Sequence, residues 1–256
     1  MNARPATLIT VAKIARGTTT LVLCCASANL ALCGPIQDAV RKGNEAKVVA
    51  LLKENPNLVS SKDKFGNTPL HIAALHDQPA IAALLIANGA DVNAQNDPQP
   101  VDVLCAPRSN DDFYRETPRT SETPLSLALL SFHHKEIVDL LLTHGADPNI
   151  SLHGGITVLY RAVECNLPYD VELLLANGAD PDTINLSGGT LVHYAVTHRL
   201  THILELLLDS GANANAKDRA GHTPMFYAQN AYRSYYGETS PNEKAIAILK
   251  AHGGHL

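Results

Sequence analysis

The stretch Leu191-Val192-His193-Tyr194-Ala195, continued by Leu206-Leu207-Leu208-Asp209-Ser210-Gly211-Ala212-Asn213-Ala214-Asn215, decides the fold because its plan returns along the chain. Each return has a short apolar start, a leucine run, then Gly-Ala before Asp or Asn. The Gly-Ala pair falls at Gly89, Gly145, Gly178 and Gly211, in steps of 56, 33 and 33 residues, so the first step is one period plus 23. A threonine opens each copy, at Thr68, Thr123, Thr157, Thr190 and Thr223, in steps of 55, 34, 33 and 33. Two markers holding nearly constant phase predict stacked repeats.

The residue types fit such a unit. Thr68 can cap a helix through its hydroxyl, and Pro69 sits at the first helical position, where a missing N–H costs nothing. Leu70 and Ala73, three apart, share a face. The runs Leu84-Leu85, Leu140-Leu141-Leu142, Leu173-Leu174-Leu175 and Leu206-Leu207-Leu208 are apolar on more than one side, which suits a second helix covered by a layer above and another below. The glycines then supply a left-handed residue to end that helix.

Thr68-Pro69-Leu70-His71-Ile72-Ala73 and Leu84-Leu85-Ile86-Ala87-Asn88-Gly89-Ala90-Asp91-Val92-Asn93 resemble the ankyrin repeat, and the resemblance covers roughly residues 36–256. It implies an all-α ankyrin-repeat solenoid: stacked helix-turn-helix pairs joined by β-hairpin-like loops, working as a non-catalytic protein-protein interaction module. Departures are local. The His position holds Ser126, Tyr160 and Phe226 in the second, third and fifth copies, and Val158 and Leu191 replace Pro in the third and fourth. Those copies are expected to start their first helices more loosely.

Outside the repeats, residues 1–28 carry Arg4, Lys13 and Arg16, the apolar Leu21-Val22-Leu23-Cys24-Cys25 and the small-residue site Ala26-Ser27-Ala28. This pattern reads as a secretory signal peptide cut after Ala28, which places the mature protein in the periplasm or outside the cell; a cytoplasmic scaffold is the alternative. Residues 29–35 form a short linker, 36–63 a capping ankyrin-like repeat, 64–96 a full repeat and 97–120 an inserted loop. Repeats follow at 121–152, 153–186 and 187–218, and 219–256 is a terminal repeat with its own insertion from Tyr232 to Pro241. The inserted loop holds four prolines and no periodicity, and its Phe113-Tyr114 pair is either a contact finger or part of a tolerated surface loop.

Composition narrows the function. The chain has 256 residues, is 45% hydrophobic but only 5% aromatic, and carries a net charge of −5. Losing the three positive charges of residues 1–28 would leave −8, a poor basis for nucleic-acid binding. No apolar run is long enough to span a membrane. Removal of the signal would leave Cys33, Cys105 and Cys165, whose oxidation state the spacing does not define.

Twelve histidines invite a metal reading. His71 and His193 occupy the repeat's own His position, where imidazole serves as a structural hydrogen-bonding group. His198 and His202 lie across the turn between two helices with no Glu in an H-E-x-x-H arrangement, and His133-His134 diverge. Cys165 with a neighbouring histidine is the one conceivable nucleophile, without a nucleophile elbow or phosphate loop. No catalytic residue, metal ligand or cofactor is therefore expected; a metal-binding or Cys-dependent enzyme on the stack is the remaining alternative. The resemblance instead places partner contacts on a concave surface of hairpin tips and first-helix ends. These are Lys64, Phe65, Asn67, Leu75 and His76, the inserted Phe113 and Tyr114, then His153, Ile156, Glu164 and Cys165. Ser187, Thr197 and His198 follow in the fourth repeat, and Arg219, His222 and Asn230 in the fifth. The partner is an unidentified protein, met by a monomer.

Overall fold

A computed structural model describes residues 34–97, 99–100, 119–130, 135–152, 156–184, 188–230 and 241–256. The expected signal segment, Phe113, Tyr114, His133-His134, His153, Ser187 and the Tyr232 insertion lie outside these residues.

The described residues form paired helices in a regular order. The first helices are α1 (Pro35–Arg41), α3 (Pro69–Leu75), α5 (Pro124–Leu130), α7 (Val158–Glu164), α9 (Leu191–Thr197) and α11 (Pro224–Gln229). The second helices are α2 (Glu45–Glu54), α4 (Pro79–Ala87), α6 (Lys135–Thr143), α8 (Pro168–Ala176), α10 (Thr201–Asp209) and α12 (Glu243–Ala251). Such short helices are marginal alone, so burial must hold them. First helices pack on first helices in chain order, from α1 on α3 to α9 on α11, and second helices stack beside them. Leu70, Leu125, Leu159 and Leu191, one or two residues after their threonines, are each at most 1% exposed, as are Leu85, Leu141, Leu174 and Leu207 of the leucine runs. The result is one continuous apolar seam, in which each leucine contributes about 1.5–3 kcal/mol by leaving water.

Left-handed backbone serves four described turns between paired helices and the ends of the second helices from α4 onward. Between the helices of a pair it is supplied by Gly43, Asp77, Asn166 and Arg199, with φ of 66°, 50°, 53° and 56°. Asp and Asn tolerate this region better than other side-chain-bearing residues, so Arg199 carries the largest local strain. The second helices close as expected: in α4 the Ala90 N–H reaches the Leu85 carbonyl at 3.0 Å and Gly89, at φ 85°, the Ile86 carbonyl at 2.9 Å.

A ladder of side chains joins the loops that follow the second helices. Asn93 donates to the Gly145 carbonyl at 3.1 Å and accepts from the Asp147 N–H at 2.8 Å. Asn149 repeats this with Gly178 and Asp180, and Asn215 with Gly253 and His255. Asp182 holds the same place between the fourth and fifth loops and accepts from Asn213 N–H at 2.8 Å. A carboxylate has no amide hydrogen for the matching donation, so this rung is half made.

The inserted loop leaves the stack undisturbed because its base is clamped. Asn96 N–H donates to the Glu122 carbonyl at 3.0 Å and Glu122 N–H to the Asn96 side chain at 2.7 Å. Beyond them, β1 (Gln99–Pro100) pairs antiparallel with β2 (Arg119–Thr120). This two-residue ribbon is the only sheet among the described residues. The other connections are tight fingers in which Asp63, Leu152 and Asp218 N–H groups reach the carbonyls of Asn67, Ile156 and His222 at 2.8–3.0 Å.

Candidate protein-interaction surface

The fingers and the first helices meet through buried polar side chains. At the start of α3 the Thr68 N–H and hydroxyl lie 3.2 and 2.8 Å from Nδ1 of His71. A ring nitrogen that accepts is unprotonated, so Nε2 carries the hydrogen and donates to the Glu122 carbonyl at 3.0 Å. Thr190 and His193 repeat this, with Nε2 donating to the His222 carbonyl at 3.1 Å. Burial pushes the His71 pKa down to about 4 and lowers that of His193. Both rings are neutral struts tying a first helix to the next finger.

The looser starts expected of the variant copies are found in only some of them. In α5, Ser126 takes over the histidine's place: its Oγ accepts from Thr123 N–H at 2.8 Å while Ser126 N–H donates to the Thr123 hydroxyl at 3.2 Å. The cap is therefore reciprocal. A small hydroxyl does here what imidazole does elsewhere, and it leaves room for Glu122. That carboxylate accepts from Ser126 at 2.6 Å and holds Arg161 of α7 in a two-pronged pair at 3.0 and 3.2 Å. Only 12% of the Arg161 side chain and 8% of that of Glu122 are exposed, so the pair is largely desolvated. In α7 the cap is a single 3.3 Å contact from Tyr160 N–H to Thr157, and in α11 Thr223 turns instead to the His255 carbonyl. Those two starts are the weaker ones.

Among the sequence-derived candidates, Lys64 and Arg219 stand exposed on fingers, with the Lys64 ammonium 4.6 Å from the Phe65 ring centre. Leu75, 42% exposed, and the half-buried His76 end α3. Ile156, Glu164 and Cys165 are half-buried around α7, and Asn230 caps α11 in the open. The His198 ring lies flat on Tyr194 at 3.8 Å, and the His222 ring flat on Phe226 at 3.8 Å. Two candidates are turned to structure. Asn67 donates to Asp63 and accepts from Asn96, and the Thr197 hydroxyl donates to carbonyls of its own helix.

Three residues on the same face escaped the sequence reading: Arg161, Tyr194 and Tyr227, each four positions after its threonine. Their contacts show the direction they face. Arg161 meets Glu122, the Tyr227 hydroxyl donates to Asp218 of the last finger, and Tyr194 packs edge-on to Tyr160 at 6.0 Å. The signal was available, since positions four and eight after the threonine share a helical face.

No group of three or more His, Cys, Asp or Glu able to hold a metal occurs among the described residues, the histidines and Cys165 singled out in the sequence included. Nδ1 of His198 lies 3.0 Å from the Tyr194 carbonyl, and His202 faces Glu205 at 3.9 Å. Cys165 borders a crevice of about 10 Å³ with Ser126, Arg161 and Ala162, room for about one water. No described helix is long and apolar enough to cross a membrane.

Comparison with known proteins agrees with this architecture. The family model for ankyrin repeats matches three times, at residues 14–96, 98–185 and 159–236. Rabankyrin-5 of Mus musculus is 30% identical over 115 residues, 44% of this chain and 9% of that protein. Oxysterol-binding protein-related protein 1 of Homo sapiens is 41% identical over 68 residues, 25% of this chain and 7% of that one. The serine/threonine-protein kinase VIK of Arabidopsis thaliana is 44% identical over 55 residues, 22% and 13%. The likeness thus spans 7–13% of the length of these relatives. Among solved structures, an ankyrin repeat domain from Acinetobacter baumannii AYE superposes with a TM-score of 0.67 at 25% identity, over 86% of this chain and 98% of that one. A chain in the complex of the Bdellovibrio bacteriovorus predatory endopeptidase Bd0816 with immunity protein Bd3460 shares the fold, with a TM-score of 0.61 at 20% identity and coverage of 86% and 98%. Ankyrin repeats are protein-protein interaction modules and typically non-catalytic. Its repeats, their caps and these matches together make the chain a member of the ankyrin-repeat family.

Proposed function

We propose that the chain is an exported, non-catalytic module that grips a protein partner across a concave surface of finger turns and first helices. One observation carries the reading. The finger backbone is held from inside by Asp63, His71, Asn96, His193 and Asp218, while the side chains four, seven and eight positions after the threonines vary among the copies, each place holding at least four residue types. Arg161, Glu164 and Cys165 in one copy correspond to Tyr194, Thr197 and His198 in another. A surface ordered on folding has little left to order on binding, so its contacts translate more fully into affinity. The solved complex containing a chain of this fold fits that use.

Export rests on Arg4, Lys13 and Arg16, the apolar run and Ala26-Ser27-Ala28, and predicts a mature protein that begins at Asn29 and acts in the periplasm or outside the cell. Mass spectrometry of the protein purified from its own cells tests this: a first residue of Asn29 is expected, and retention of residues 1–28 returns the module to the cytoplasm. Binding is tested by affinity capture with the intact array and with Leu75→Ala plus Tyr194→Ala. The paired substitution is expected to abolish enrichment of the partner, and undiminished capture would remove the binding role from this face.

A further inference from the structure

The two outermost fingers carry one motif, Lys62-Asp63-Lys64 and Lys217-Asp218-Arg219, and in both the acid is engaged by its own finger. Asp63 accepts from the Phe65 and Asn67 N–H groups at 2.8 and 2.9 Å and from the Asn67 amide at 3.2 Å. Asp218 accepts from the Ala220 and His222 N–H groups at 2.9 Å and from the Tyr227 hydroxyl. All four flanking cations, Lys62, Lys64, Lys217 and Arg219, are exposed. Lys62 reaches a neutral carbonyl, that of Gln95 at 3.2 Å, and Lys64 lies over an aromatic ring. Asp97, beside Gly66, is the exposed acid next to the first finger and offsets part of its charge. Between the two fingers the described surface is mainly apolar and aromatic, with Ile184 58% exposed and Tyr194 half-buried, and the half-buried Arg161 and Glu164 add one charge of each sign. Exposed acids stand instead on the loops that follow the second helices, at Asp91, Asp147, Asp180 and Asp182.

We infer that the partner segment is acidic at two places about ten residues apart, with an apolar stretch between them; this rests on the protein-binding role proposed above. The spacing follows from the stack. Four layers separate the first finger from the last, and helix layers lie about 8–10 Å apart, so the cationic ends are roughly 30–40 Å apart. An extended chain covers that span in about ten residues. The acids of the second-helix exit loops repel such a segment there, so charge selects the place as well as the partner.

The test uses the full chain as bait for a displayed library of random twelve-residue peptides, followed by titration of the enriched peptides. The expected peptides carry Asp or Glu toward both ends around an apolar centre. Their affinity falls at least tenfold in Lys64→Glu and in Arg219→Glu, weakens with added salt, and is unchanged in Asp147→Lys. Enriched peptides that are neutral or basic, or indifferent to both reversals, overturn the inference while leaving a protein-binding face in place. A library that yields no peptide dependent on Leu75 or Tyr194 overturns both readings. Sedimentation of the chain alone and titration with duplex DNA complete the test: self-association or DNA binding lost in the same two variants would assign the cationic fingers to a second copy or to nucleic acid and contradict the inference.

Discussion

The two long edges of the array solve the same problem with different materials. Along the edge of the second-helix exits, the rungs Asn93, Asn149 and Asn215 make one hydrogen-bond pattern three times, and Asp182 makes half of it. Along the finger edge each junction is built differently: His71 on Glu122, Glu122 on Arg161, His193 on His222. An edge that repeats a solution exposes little that could distinguish one partner from another. The finger edge hides its polar struts inside and presents Leu75, Tyr194, His198 and Arg219 outward, so it can vary without endangering the stack. The proposed binding role thus falls on a different side of the helices from the repeated ladder.

The sharpest way to break this contrast is to strike a hidden strut. Arg161→Ala leaves Glu122 buried without its partner and is expected to cost about 3–5 kcal/mol in urea unfolding, since an uncompensated buried charge is the main penalty. An effect below about 1 kcal/mol would mean that water reaches the pair and that it acts as a surface bridge.

Acid should tell the two edges apart next. His71 is held neutral, with a folded pKa of about 4 against 6.5 in the unfolded chain, so its contribution is present above 6.5 and lost as pH falls toward 4. That loss is about 3 kcal/mol by pH 4, with a smaller one of the same sign from His193. His252 has the opposite sign. Hydrogen bonds to the Ile248 carbonyl and the Asp209 carboxylate raise its pKa, so its contribution is present below 6.5 and fades as pH rises through the raised value. Denaturation of the wild type and His71→Gln between pH 4 and 8 checks both signs. The wild-type loss should shrink in the variant.

The exit ladder should give smaller, additive changes. Asn149→Ala removes one donated and one accepted bond on an exposed loop and should cost about 1–2 kcal/mol. Asp182→Asn supplies the missing donor and should stabilise the array by up to about 1 kcal/mol, read as an upward shift of the thermal midpoint. Gly178→Ala, whose added methyl meets no atom within 4 Å, should cost about 1 kcal/mol from its φ of 85° alone. A larger loss would show that the loop is packed against something further.

What the sequence made legible follows from what is periodic. Thr68-Pro69-Leu70-His71, the leucine runs and Gly89, Gly145, Gly178 and Gly211 recur at one spacing, so the helix pairs, their ends and the direction of stacking could be read directly. The ladder was legible in principle, because residues 93, 149, 182 and 215 each lie four beyond a Gly. The Glu122–Arg161 pair was not. Its members are 39 residues apart and sit at places filled otherwise in other copies, so no period points to them. Ser126 was misleading for a related reason: judged alone it is a lost histidine, whereas beside Glu122 and Thr123 it is a complete cap. Candidate contact positions were legible at the finger tips and the helix ends, and Arg161, Tyr194 and Tyr227, one turn earlier on the same face, were missed.

The division of labour between the edges is tested most directly by measuring partner capture and urea stability together in Tyr194→Ala and Asn149→Ala. Tyr194→Ala is expected to lower capture at least tenfold while losing about 1–2 kcal/mol with the packing of its half-buried ring, whereas Asn149→Ala lowers stability by a similar amount and leaves capture intact. Capture lost in Asn149→Ala but kept in Tyr194→Ala would contradict that division.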